Sequence, residues 1–274
     1  MTVMSTPSSI APRILISISD LRFSYGPAGA GVRPILEGFD LEVRESELLS
    51  IVGPSGCGKS TLLSIIAGLL RVDAGTVLVD GAERTEPGPD RAMIFQEDAV
   101  FPWRTVRANV EYGLQMQGKS RAERHRIADE YLRLVGLVDV WDLFPRQLSG
   151  GMRKRVDVAR AMAVQPQILL LDEPFAALDV MTKEQLQLDF LGVWAKTQLT
   201  AIFVTHDLEE ALFLSDRVVV MSRDPARVIR DVAVPFSRPR DRTLRTSQEF
   251  QELRGELAEQ LRFETGDLEA IEAT

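Results

Sequence analysis

Residues 53–60 read Gly53-Pro54-Ser55-Gly56-Cys57-Gly58-Lys59-Ser60 and fit the pattern G-x-x-x-x-G-K-[ST]. A chain of phosphates needs several donors that converge without a crowding Cβ. Gly53, Gly56 and Gly58 let the backbone wrap closely, with Pro54, Ser55 and Cys57 between them and the N–H groups turned inward as an anion nest. Lys59 is spaced to reach the β- and γ-phosphates of a nucleotide and Ser60 to bind Mg2+. Thr61 adds a hydroxyl near the α-phosphate. A second anion site is spelled by Leu148-Ser149-Gly150-Gly151-Met152, where Ser149, Gly150 and Gly151 open a helix whose free N–H groups and dipole favour negative charge. A third stretch, Ile168-Leu169-Leu170-Leu171-Asp172-Glu173, is an apolar run that ends in two carboxylates.

Elements must hold these groups in place. Leu15-Ile16-Ser17-Ile18 and Leu41-Glu42-Val43 alternate apolar with polar residues, as half-buried strands do. Leu48 to Val52 predicts a strand leading into the glycine loop, and Lys59 to Leu70 a helix leaving it. Gly75 to Gly81 predicts a further strand. The middle is helical: Val106, Val110 and Leu114 share one face, and Ser120 with Glu123 forms a capping-box pattern for a helix stopped by Gly136. A helix over Met152–Val164 closes before Pro166. Strands at Ile168–Leu171, Thr200–Val204 and Arg217–Met221 then alternate with helices, which indicates a parallel sheet with crossovers. Phe250, Leu253, Leu257 and Leu261 line one face of a final amphipathic helix.

Composition narrows the function. The chain has 274 residues, a net charge of −8 and acid concentrated near its end, a balance that excludes the basic face of a nucleic-acid binder. A single cysteine, Cys57, excludes an intrachain disulfide and fits a reducing compartment. Residues 1–12 lack an apolar core of signal-peptide length. The longest strongly apolar stretch, Leu62–Leu70, is far short of the about 18 residues of a spanning helix.

The order of the three stretches, with Ser149-Gly150-Gly151 between the glycine loop and Asp172-Glu173, resembles the ATP-binding cassette (ABC) family over roughly Ile14 to Arg240. The resemblance implies an α/β fold: a P-loop NTPase with a RecA-like parallel-sheet core, an N-terminal antiparallel β subdomain and an inserted α-helical subdomain at about 97–160. It places the ATPase domain at 13–240, after a flexible N-terminus of residues 1–12 and before a helical tail of residues 241–274. ATP and Mg2+ are the implied cofactors. Asp172 then resembles the residue that holds Mg2+ through water, and Glu173 the general base acting on the attacking water. His206, in Val204-Thr205-His206-Asp207, resembles the switch histidine that contacts the γ-phosphate. Gln96, in Ile94-Phe95-Gln96, resembles the glutamine that touches both Mg2+ and the water. Tyr25 resembles the aromatic residue stacked on adenine, and Asp179, in Ala177-Leu178-Asp179, the residue of a loop crossing a dimer interface. His125, among Arg121, Arg124 and Arg126, receives no chemistry.

The family also implies reciprocity: a homodimer in which Ser149-Gly150-Gly151 of one copy closes on ATP held by the glycine loop of the other. Met152, Lys154 and Ala176 depart from the commonest family residues, Lys154 standing where Gln or Arg is usual. Met152 and Lys154 lie beyond the glycine pair, so the anion site is expected to survive, and Ala176 is a mild change ahead of the loop bearing Asp179. Cys57 is expected to be open to alkylation, with ATP protecting it. Phe101-Pro102-Trp103-Arg104 is expected to form the wall of a groove for a permease helix. Together with Met152-Arg153 and Val234 to Asp241, it resembles the nitrate/sulfonate/taurine branch of bacterial importers.

These expectations describe a peripheral ATPase on the cytoplasmic face of the inner membrane. It would pair with integral-membrane permease subunits and act indirectly with an extracytoplasmic solute-binding protein, importing nitrate, sulfonate, taurine or a similar small anion. An exporter or lipid-transport ATPase is the alternative. Chromosome and repair ABC ATPases carry long coiled coils that the span from Ser60 to Leu148 cannot hold, and translation factors fuse two cassettes where this chain has one glycine loop.

Overall fold

The computed structural model describes residues 13–26, 34–97, 99–176, 178–223 and 225–265; the expected flexible stretch 1–12, Ala177 and the end of the tail lie outside the described residues. Strands β1 (Ile14–Phe23), β2 (Leu36–Arg44), β4 (Ala74–Val79) and β5 (Ala82–Glu83) form an antiparallel sheet in the order β2-β1-β4-β5. A second sheet is ordered β10-β9-β3-β8-β7-β6, from β3 (Leu48–Val52), β6 (Arg91–Ile94), β7 (Ile168–Asp172), β8 (Thr200–Thr205), β9 (Arg217–Met221) and β10 (Val228–Ala233). Five of its strands run parallel, and β10 closes the edge antiparallel to β9.

Strands β3, β7 and β8 are buried along their whole length. Their continuous apolar runs follow from having both faces covered. Alternate residues divide between two cores: Leu48, Val52, Leu169, Leu171 and Phe203 face one, and Leu49, Ile51, Ile168, Leu170 and Ile202 face the other. The first core is shared with α2 (Val106–Met116), α3 (Arg121–Leu134), α4 (Gly150–Ala163), α5 (Val180–Thr197), α6 (Leu208–Leu214) and α7 (Gln248–Thr265). The second is shared with α1 (Lys59–Ile66) and the antiparallel sheet.

Helix signals in the sequence hold locally. Val106, Val110 and Leu114 are fully buried on α2. Ser120 and Glu123 form the capping box of α3, and Gly136 takes φ +67° just past its end. One helix is shorter than its pattern predicts: α1 stops at Ile66 rather than Leu70. Gly68 adopts φ +78°, and a Cβ there would meet the Glu86 carbonyl carbon at 2.4 Å, so the chain must leave the helix to let that backbone pass. The edge strand β10 is an element that the sequence reading does not place; its residues, VIRDVA, are exposed or half-exposed and show no alternation of apolar with polar.

The final helix packs as expected. Phe250 and Leu257 are buried on α7, and Phe250 stacks against Phe236 with centroids 5.5 Å apart. Arg240, which precedes it, is buried and donates to the carbonyls of Leu212, Phe213 and Ser215 at the end of α6. Burial draws that guanidinium down to about 10.

Candidate nucleotide site

The C-terminal ends of β3, β6, β7 and β8 converge, and the residues that follow each strand line one cavity of about 500 Å³. Loops at this end of a parallel sheet are where α/β proteins bind ligands. Ser55, Gly56, Gly58, Lys59, Ser60 and Thr61 supply one wall, and Gln96, Glu173, His206, Tyr25 and Ile35 the rest.

The glycine loop needs its glycines for geometry. Gly56 and Gly58 take φ +76° and +106°, and a Cβ on Gly58 would press Ile35 at 2.8 Å. A Cβ on Gly53 would meet the Met221 carbonyl at 2.9 Å. Lys59 is 5% exposed, and its ammonium donates to the carbonyls of Gly53 and Pro54 at 2.8 and 2.9 Å. Gly53 and Pro54 therefore brace the lysine and do not themselves line the cavity. Cys57 corrects an expectation. Its thiol is buried beside the second core, and burial raises it above the ordinary thiol range. Alkylation should therefore be slow in the folded protein even without nucleotide. Iodoacetamide modification followed by mass spectrometry, folded against urea-unfolded, is expected to differ by at least about tenfold.

Opposite the loop, the Ser60 hydroxyl donates to Asp172 Oδ1 at 2.9 Å. Burial raises the Asp172 carboxyl above its usual range, opposed by the Ser60 hydrogen bond. Glu173 turns away from β7 with φ +42°, a left-handed conformation that costs a residue bearing a Cβ about 1–2 kcal/mol. Its Oε2 lies 3.0 Å from Nδ1 of His206, across the cavity rim. Backbone strain of this kind gathers at functional sites because it aims a side chain where relaxed backbone would not. Tyr25 is 56% exposed, stacked edge-on against Phe23, and its hydroxyl lies 3.1 Å from Thr61 Oγ1.

Ser149, Gly150, Gly151 and Asp179 do not line this cavity. Ser149 caps α4 by accepting from the Met152 N–H. Asp179 caps α5, and the hydrogen bonds from Thr182 hold its carboxyl below the usual range. The two turns meet, since a Cβ on Gly151 would strike the Thr182 methyl at 2.6 Å.

Two neighbours have no sequence signal strong enough to name them. Ile35 lies just beyond an undescribed stretch and packs on Gly58. Lys183, on the first turns of α5, donates to Asp207 at 2.8 Å and reaches Glu210 at 2.9 Å. Glu210 in turn accepts from the Thr205 hydroxyl at 2.5 Å, so both residues flanking His206 are tied to Lys183. Burial tends to raise the Asp207 carboxyl, but Lys183 holds it below its usual range.

Comparison with known proteins agrees with this geometry. Residues 36–176 match the family model described as ABC transporter. The chain is 44% identical to the bicarbonate transport ATP-binding protein CmpD of Synechocystis sp., covering 87% of this chain and 85% of that protein. It is 42% identical to the nitrate import ATP-binding protein NrtD of the same organism, covering 93% of this chain and 98% of that protein. Among solved structures it resembles a dimeric ATP-binding cassette in a post-hydrolysis state bound to ADP and Pi, with a TM-score of 0.71, 30% identity, and coverage of 81% of this chain and 100% of that one. A glycine loop, a glutamate on strained backbone and a histidine gathered at the C-terminal ends of the parallel strands thus carry a family likeness through fold and sequence alike: the chain belongs to the ABC transporter family, as an ATP-binding-cassette ATPase.

Proposed function

We propose that this chain is the ATP-hydrolysing subunit of an importer for a small anion such as nitrate, a sulfonate or taurine. The observation that carries the hydrolytic part is the pairing of Glu173 with His206 across one cavity from Lys59 and the Ser60–Asp172 pair. The glycine loop would cradle the phosphates, and Lys59 would exchange the carbonyls of Gly53 and Pro54 for phosphate oxygens. Ser60, Asp172 and Gln96 offer hard oxygen donors suited to Mg2+, which keeps few protein ligands and several waters or phosphates. The donor set fits, and among the described residues no cluster of three or more His, Cys, Asp or Glu competes for it. When bound, Mg2+ would neutralise charge growing on the β- and γ-oxygens. Glu173 would orient the attacking water and accept its proton, His206 would contact the γ-phosphate, and the exposed face of Tyr25 would stack on adenine.

Assembly extends the same reading. Ser149, Gly150 and Gly151 stand apart from the cavity of their own chain, which supports a head-to-tail homodimer in which they close on the twin's ATP with Asp179 at the interface. The solved cassette that this fold resembles is dimeric, which supports the pairing of two copies. Beyond Gln96, Trp103 is 72% exposed against Phe101, and Arg104 lies over the Tyr112 ring at 4.8 Å. We assign this aromatic surface to the cytoplasmic helix of a permease. Among the described residues no helix is long and apolar enough to cross a membrane. The motor would therefore sit peripherally on the inner face, with an extracytoplasmic binding protein delivering solute. The relatives that serve nitrate import and bicarbonate transport support import of a small anion.

The test is reconstitution in vesicles with permease and solute-binding subunits of the nitrate-import type. ATP hydrolysis and uptake of labelled nitrate, sulfonate or taurine are expected to rise together. Hydrolysis coupled to efflux or to lipid movement would replace import with the exporter reading.

A further inference from the structure

Helix α4 carries three charged side chains, one to three turns beyond Ser149, that the nucleotide site as described leaves unused. Lys154 and Asp157 are 4% and 1% exposed, with their charged atoms 4.0 Å apart. Arg160 closes on Asp157 at 2.8 Å. All three grip the backbone that follows β6. Lys154 Nζ donates to the carbonyls of Phe95 and Gln96 at 3.0 and 3.1 Å. The Ala99 N–H donates to Asp157 at 3.1 Å, and Arg160 donates to the Ala99 carbonyl at 2.5 Å.

Burying charged groups is costly unless each is paired and hydrogen-bonded, and apolar residues of similar volume commonly stabilise a core as well. What such a cluster supplies that apolar packing does not is a fixed direction for the groups it bonds. Here those groups belong to the short segment bearing Gln96, whose side chain lines the nucleotide cavity while its carbonyl is held outside by Lys154. We infer that Lys154, braced by Asp157, is a positioning residue that sets the backbone from which the Gln96 amide reaches the nucleotide site. The inference rests on the role proposed above for Gln96. It also gives a physical reason for lysine at position 154: one ammonium serves two carbonyls and faces a carboxylate at 157.

The test uses Lys154→Met, which removes the donors and keeps the chain length. In the nucleotide-free protein, amide exchange of the peptide spanning residues 95–101 is expected to accelerate at least about tenfold, with β7 unchanged. With Mg-ATP, kcat is expected to fall about tenfold or more while KM stays within about twofold. Lys154→Arg is expected to restore both. In a Gln96→Ala background, Lys154→Met is expected to change kcat no further, because it acts through Gln96. A brace with no positioning role would lower kcat by the same factor in both backgrounds, and that result overturns the inference. If Gln96→Ala slows turnover but Lys154→Met alters neither exchange nor kcat, the inference fails and the Gln96 role stands. If Gln96→Ala leaves kcat unchanged, that role fails and takes the inference with it. Should Lys154→Met not fold, Lys154→Ala, which also removes the donors, is read against the same outcomes.

Discussion

Glu173→Gln is expected to stop turnover while sparing ATP binding. The glutamine keeps the size of the side chain and a hydrogen bond to His206, but it cannot take a proton from water. Loss of a positioned general base costs about a hundred- to ten-thousandfold in rate. The glycine loop, Lys59 and Ser60 lie on other elements, and the neighbouring Asp172 keeps its bond from the Ser60 hydroxyl, so the binding groups remain in place. Single-turnover phosphate release should fall by that factor, with equilibrium ATP binding within about twofold of the parent. Turnover within tenfold of the parent would remove Glu173 from its role. The same preparation, saturated with Mg-ATP, should accumulate as a dimer in light scattering. A persistent monomer, even beside its permease, would sink the motor reading altogether.

The second large effect comes from mixing two dead variants. Lys59→Met disables the phosphate cradle of its own copy, and Ser149→Arg blocks the anion turn that its own copy would offer to its twin. Each alone should hydrolyse ATP at about a hundredth of the parent rate or less. In a head-to-tail heterodimer of the two, one composite site carries both lesions and the other carries neither. Random pairing in an equal mixture makes half the dimers mixed, so about a quarter of the parent activity should return if the sites act independently. No recovery on mixing, with dimers demonstrably exchanging, would show that each chain completes its own site. The separation of Ser149 from the cavity lined by Lys59 is what makes this outcome expected.

Much of the site was legible because its chemistry depends on short, contiguous patterns. Gly56 and Gly58 announce positive φ, the apolar run of β7 announces a buried strand, and Asp172 and Glu173 follow where that strand must end. His206 was legible only through its distance from Glu173 in a familiar order, and the structure gives that order a contact. Side-chain direction was not legible. Cys57 lies inside the glycine loop yet turns its sulfur toward the core, a direction that the residue pattern of the loop does not encode. Nor does sequence reveal that Lys183 spans from α5 to the residues flanking His206, since that pairing joins segments far apart in the chain. Helix ends were legible where caps are local, as at Ser120. They were misplaced where a distant backbone decides, as at Gly68.

The van der Waals contact between Gly151 and Thr182 has a consequence for how two copies can approach. With no room for even a methyl group between them, the first turns of α4 and α5 lie against each other, and any side chain at position 151 would have to push the Thr182 methyl aside. The Ser149 hydroxyl and the Asp179 carboxylate, which cap those two helices, are thereby brought to adjoining turns of one surface.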